Sequence, residues 1–85
     1  MASRSLQFLP PAERFLDDQD RATIRYLIDA CRLLRDDPAV DGDRKVPYLM
    51  APVVYRLWTD GRYWIIYDYL RKSETVVIYE IGRED

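Results

Sequence analysis

The stretch VVYRLWTDGRYWIIYDY, residues 53–69, reads as two strands around a turn. The length of that turn decides which face of a sheet each side chain takes. Asp60-Gly61 is a signature of a two-residue hairpin loop, which would pair Thr59 with Arg62. That register mixes Arg56 into the face holding Tyr63, Ile65 and Tyr67. A three-residue loop, Thr59-Asp60-Gly61, with Gly61 left-handed in a bulge, instead pairs Trp58 with Arg62 and Arg56 with Trp64. One face then holds Tyr55, Leu57, Tyr63, Ile65 and Tyr67. The other holds Arg56, Trp58, Arg62, Trp64, Ile66 and Asp68. A one-residue slip mixes the two sets, and burial of one face penalises that mixing. The cleaner separation selects the three-residue loop and predicts both tryptophans on the face turned away from the helices.

On the C-terminal side, the pattern predicts strands over residues 62–70 and 75–81, joined by the turn RKSE at 71–74. Alternation makes Val77, Tyr79 and Ile81 core candidates, with Ile78 and Glu80 opposite. On the N-terminal side lie a strand over 53–58 and a long connection over 37–52, which contains Pro38, Gly42, Pro47 and Pro52. Before it, Ile24, Leu27, Ile28, Cys31 and Leu34 recur at steps of three and four, so residues 21–36 form a helix. Asp20 is its expected N-cap, and Pro38 stops it. PAERFLDD, residues 11–18, reads as a short helix opened by Pro11, with Phe15 and Leu16 inward. Residues 3–9 alternate as a strand with Leu6 and Phe8 on one side, stopped by Pro10-Pro11. The expected order is β-α-α-β-β-β. This is an α+β fold with two helices packed on one face of a mainly antiparallel four-stranded sheet.

A chain of 85 residues reads as one domain over 1–85. At 48% hydrophobic residues and a formal net charge of −2, it lacks the composition of a disordered segment. Thirteen basic against fifteen acidic residues argue against a chain that coats nucleic acid non-specifically. A local basic patch is compatible with that balance, and all the cations except Lys45 and Lys72 are arginine, suited to forked phosphate or carboxylate contacts. There is no histidine, which excludes Ser-His and Cys-His nucleophile pairs and every histidine-containing zinc site. The one cysteine, Cys31, falls on the apolar stripe of the long helix and reads as a core residue. Without a second cysteine there is no internal disulfide, and a reducing compartment is expected. No run is long enough to span a bilayer or act as a signal peptide, so the expectation is a cytoplasmic protein off the membrane, without metal or cofactor.

The open sheet face is the candidate working surface. Cross-strand tryptophan–arginine contacts can simply stabilise a solvated face. Clustered tryptophan and arginine also mark interface anchors. The candidate RNA- or partner-binding residues are Arg44, Lys45, Arg56, Trp58, Arg62, Trp64, Asp68 and Glu80.

The order of elements and three strings resemble the RelE/ParE superfamily, the toxins of type II toxin–antitoxin modules. LLRDDP at the end of the long helix, VVYRLWTDGRYWIIYDY as a basic hairpin, and ETVVIYEIGRED as the last strand carry the resemblance across nearly the whole chain. It implies a small toxin neutralised by a cognate antitoxin, in a hetero-oligomer or alongside a homodimer. RelE-like members are ribosome-dependent endoribonucleases that cut mRNA and so inhibit translation, whereas ParE-like members inhibit DNA gyrase without being nucleases. Position by position, Arg56 matches the first basic residue of the hairpin strand and Arg83 the basic ending, which implies a catalytic or phosphate-contacting role for both. Trp58 stands where a second basic residue is expected, Trp64 at an arginine position, and Glu84 at another. The terminal tyrosine of the pattern has no counterpart. Arginine stabilises phosphate charge but remains protonated, so a general base would have to come from a lysine, a carboxylate such as Asp68 or Glu80, or a tyrosine. The resemblance therefore carries two implied functions: mRNA cleavage at the ribosome, or binding without nuclease activity, as a gyrase-type inhibitor or a degenerate toxin that keeps only antitoxin binding.

Overall fold

The computed structural model describes residues 4–50 and 53–84; the expectations at Ser3 and Pro52 lie outside them. Seven elements follow in order: β1 (Ser5–Phe8), α1 (Pro10–Asp17), α2 (Arg21–Asp36), β2 (Lys45–Met50), β3 (Val53–Thr59), β4 (Tyr63–Leu70) and β5 (Thr75–Arg83). The strands form one sheet in the order β1-β5-β4-β3-β2, with β1 parallel to β5 and every other pair antiparallel. The α+β architecture is as expected, with one strand more. Residues 45–50, expected within the connection, pair antiparallel with β3 as the edge strand β2. Pro47 is tolerated there because an edge strand has backbone positions that need no partner.

α2 has the predicted bounds. The Asp20 carboxylate accepts the Thr23 N–H at 2.8 Å, satisfying one of the free donors of the first turn. Its apolar stripe packs on the sheet. Leu27, Cys31 and Leu34, with Ala12 and Leu16 of α1, close over Ile65, Tyr67, Val76, Ile78 and Ile81. Each fully buried aliphatic side chain here contributes roughly 1.5–3 kcal/mol. At the far end of α2, Arg4 donates to the Asp36 carbonyl at 2.9 Å, and its guanidinium lies 5.3 Å from the Tyr69 ring centroid. The N-terminal strand is thereby tied to the helix C-terminus, where a cation offsets the negative end of the helix dipole.

The hairpin corrects the three-residue loop. Thr59 pairs with Trp64, Trp58 with Ile65, Leu57 with Ile66 and Arg56 with Tyr67, so four residues, 60–63, lie between the closing partners. The cause is Asp60. Its Oδ1 accepts the backbone N–H of both Arg62 and Tyr63 at 2.8 Å, taking donors that a tight turn would satisfy with backbone carbonyls. Gly61 follows at φ 91°, a conformation that favours glycine. The shift from expectation is odd, so β3 turns over while β4 keeps its predicted faces. Trp58 therefore faces the helices, half-buried against the core, and Trp64 faces the other way. Tyr55 and Leu57, expected in the core, share the open face with Trp64 and Ile66.

A bulge makes the second correction. Ile66 pairs with Glu80 but Tyr67 pairs with Ile78, leaving Tyr79 as the extra residue on β5. The bulge changes the parity of the strand, so Val76, Ile78 and Ile81 all belong to the helix-side core. Of the expected core set on this strand only Ile81 lies there. Tyr79 instead meets Tyr55 edge-on, with ring centroids 4.7 Å apart, and Val77 is buried outside the helix-side cluster.

Candidate functional site

The hairpin tip, the end of β5 and the first half of α2 converge on Tyr63. Its ring meets Phe15 edge-on at 6.5 Å and Tyr26 at 6.2 Å between centroids. Arg62 and Arg83 both lie against it, with Cζ atoms 5.9 Å and 5.6 Å from the ring centroid. Arg62 is also 5.3 Å from the Tyr26 ring. Tyr63 faces Arg83 across the β4–β5 pair, which is why two arginines far apart in sequence share one ring. These contacts hold the side chains on aromatic surface while leaving the cationic heads in water, and the Arg62 side chain is 72% exposed.

Asp60 anchors this end. Its side chain is only 5% exposed. Burial works against its charge, but hydrogen bonds from the Tyr26 hydroxyl and the two backbone N–H groups, with Arg62 nearby, hold its pKa below the ordinary carboxylate value. The Tyr26 hydroxyl is correspondingly pushed up, first by donating to Asp60 and then by burial. A phenol in that state is a hydrogen-bond donor and a poor base.

The remaining sequence candidates are spread over the molecule. Arg56 sits opposite Tyr67 and Arg83 opposite Tyr63, four residues apart along β4, or about 13 Å of strand. The two residues singled out for phosphate chemistry are thus not brought together. Arg56 is 3.7 Å from Asp68 in a half-buried pair, and its Nη1 has no hydrogen-bond partner among the described residues. Lys45 donates to the Asp37 carbonyl at 3.0 Å and pairs with that carboxylate at 3.3 Å. Arg44 is exposed, and its carbonyl accepts the Thr59 N–H at 2.9 Å. Trp58 packs toward the core, whereas Trp64 and Glu80 lie on the opposite face. Sequence reasoning missed Tyr26 and Asp60 as site residues. The available signal was Tyr26 itself, an aromatic residue off the apolar stripe of an amphipathic helix. Among the described residues no three potential ligand side chains gather as a metal site, and no helix is long and apolar enough to cross a membrane.

Two helices in series on one face of a mixed sheet, with the first and last strands parallel, define the class of fold. No protein-family model and no curated protein matches the sequence. Solved structures do match over nearly the whole chain. A chain of the toxin–antitoxin complex RelBE2 from Mycobacterium tuberculosis is similar at a TM-score of 0.79 and 17% identity, covering 98% of this chain and 100% of that one. A chain of the archaeal RelE–RelB complex from Pyrococcus horikoshii gives 0.75 at 13% identity, with 96% of each chain covered. The isolated RelE toxin of Escherichia coli gives 0.65 at 10% identity, covering 96% of this chain and 85% of that one. The protein shares its fold with the isolated RelE toxin and with these chains of RelE-containing complexes, the fold that the hairpin and last-strand resemblance implied.

Proposed function

We propose that this protein is the toxin of a type II toxin–antitoxin module and that it inhibits translation by engaging mRNA at the ribosome, with a cognate antitoxin as its partner. The observation that carries the reading is the Arg62–Tyr63–Arg83 arrangement on a RelE-type fold. Exposed arginine forks suit phosphates, and an aromatic platform between them suits an unpaired base. Cleavage within this reading requires the RNA 2′-hydroxyl to be aligned on the scissile phosphate, with arginine stabilising the developing charge.

Two features favour a second reading, in which the chain binds without cutting and acts on gyrase or only on its antitoxin. Lys45 is tied to Asp37, and Tyr26 is held protonated by Asp60, so neither is poised to take a proton. Induced expression with primer extension on a reporter mRNA separates the two. Growth arrest with new 5′ ends, lost in the double variant Arg62→Ala/Arg83→Ala, is the expected result. Growth arrest without new ends, combined with loss of supercoiling activity, would transfer the proposal to the gyrase reading. Normal growth with tight antitoxin binding would mean a degenerate toxin.

A further inference from the structure

On the face opposite the helices, Tyr48, Leu57, Trp64, Ile66, Glu80 and Glu84 line a groove of about 310 Å³. A second hollow of about 210 Å³ shares Ile66 and Glu80 with it and runs between Tyr55 and Tyr79 and the start of α1, at Leu9 and Pro11. The Trp64 indole forms part of its floor, lying directly on the Gly82 backbone. A Cβ at Gly82 would collide with the six-membered ring of that indole, so the indole can rest there only because position 82 is glycine. Glu80, Gly82 and Glu84 alternate along one side of the chain, which sets the Cα atoms of the two glutamates about 13 Å apart, with Gly82 and the indole resting on it between them. Both glutamates are exposed, and neither has an ion-pair partner among the described residues.

We propose that this groove binds an extended segment of a partner protein that carries arginines four residues apart, with apolar residues between them. The argument is complementarity. A planar guanidinium stacks on an indole and forks onto a carboxylate, and the apolar floor takes the intervening side chains. In an extended chain, four residues span the same 13 Å or so that separates Glu80 from Glu84. The same two carboxylates repel phosphate, so the groove is a different surface from the arginine end. It takes a different chemical class of partner whether or not the chain arrests growth.

The test uses the full chain and synthetic nine-residue peptides of leucine and valine. Arginine occupies positions 3 and 7 in one peptide, citrulline in a second and glutamate in a third. Titration is followed by the Trp64 indole N–H signal in two-dimensional NMR. The arginine peptide is expected to shift that signal and to bind at least tenfold more tightly than the citrulline peptide, with the glutamate peptide silent. Glu80→Gln/Glu84→Gln, with its fold checked by the amide spectrum, is expected to remove the arginine advantage, and Trp64→Phe, followed through the Gly82 backbone amide instead, to weaken binding severalfold. Equal affinity for arginine and citrulline peptides would overturn the proposal. So would shifts centred on Tyr63, self-association accounting for the shifts, or no binding up to millimolar peptide.

Discussion

At the scale of single residues, Asp60 decides more than its exposure suggests. It binds two backbone N–H groups and the Tyr26 hydroxyl, and through them it sets the hairpin register and the position of Arg62. Its folded pKa is depressed, so its contribution is fully present above the ordinary carboxylate value of 3.8 and is lost as pH falls through the folded value. Asp60→Asn should therefore destabilise the protein by about 1–3 kcal/mol at pH 7 and flatten the acid limb of a stability–pH curve measured by urea unfolding. An unchanged acid limb would mean that the charge is irrelevant and the turn is held by shape alone. Gly82→Ala makes a separate point. Added volume beneath Trp64 should cost about 1–3 kcal/mol and change the Trp64 fluorescence, whereas an alanine at Gly61 would be strained by the backbone rather than by contact. Asp-Gly was legible in the sequence as a turn, but its register was not. The cap is made by Asp60 Oδ1 to residues two and three further on, whereas face separation weighs loop length alone; only the Tyr26 contact, on the other carboxylate oxygen, is tertiary and absent from any local pattern.

At the scale of elements, α2 was readable to the residue because three signals agree on it: a 3.6-residue apolar period, an aspartate cap and a following proline. Leu27, at its centre, is completely buried against the sheet. Leu27→Ala should cost about 2–5 kcal/mol, read as a lowered denaturant midpoint with little change in slope. Strands were less legible. β2 was hidden by Pro47, and the β5 bulge moved Ile78 into the core against simple alternation. Strand faces follow pairing partners, and one inserted residue reverses every assignment beyond it. The arginine pair is also a product of pairing, since Arg83 reaches Tyr63 only through the β4–β5 register. If these two arginines contact RNA phosphates, removing either one should reduce the salt dependence of single-stranded RNA binding by about 0.7 in log–log slope. A slope unchanged in both single variants would remove them from the interface.

At the scale of the whole molecule, the sheet separates two chemistries that the sequence had merged. Both tryptophans were expected on one surface with the arginines. Instead Trp58 closes the core, Trp64 lies in an acidic groove, and Arg62 and Arg83 gather at the hairpin end. The core between these surfaces holds two ionisable groups with raised pKa values. Burial pushes the Cys31 thiol from 9.0 up to about 12. Burial, partly offset by Arg56, pushes the Tyr67 hydroxyl from 10.0 up to about 12, and that hydroxyl donates to the Pro38 carbonyl at 3.1 Å. In each case the folded pKa exceeds the unfolded one. Their contribution to stability is therefore fully present below pH 9 and is lost as pH rises through the folded values near 12. Between pH 9 and 10 the unfolded thiol, at 9.0, supplies most of the proton difference, and around pH 10 and above the unfolded phenol adds to it. Urea midpoints measured at pH 8, 9, 10 and 11 should fall with increasing slope, approaching about 1.4 kcal/mol per pH unit for each proton difference. Cys31→Ala should lower stability at every pH by leaving a small void, yet flatten the decline between 9 and 10; Tyr67→Phe should flatten it chiefly around pH 10 and above. If Cys31→Ala and the parent decline in parallel from pH 8 to 10, the thiol ionises in the folded state. Rapid alkylation of native Cys31 at pH 9 would establish the same point independently, because a thiol with a pKa near 12 presents almost no thiolate until the core opens.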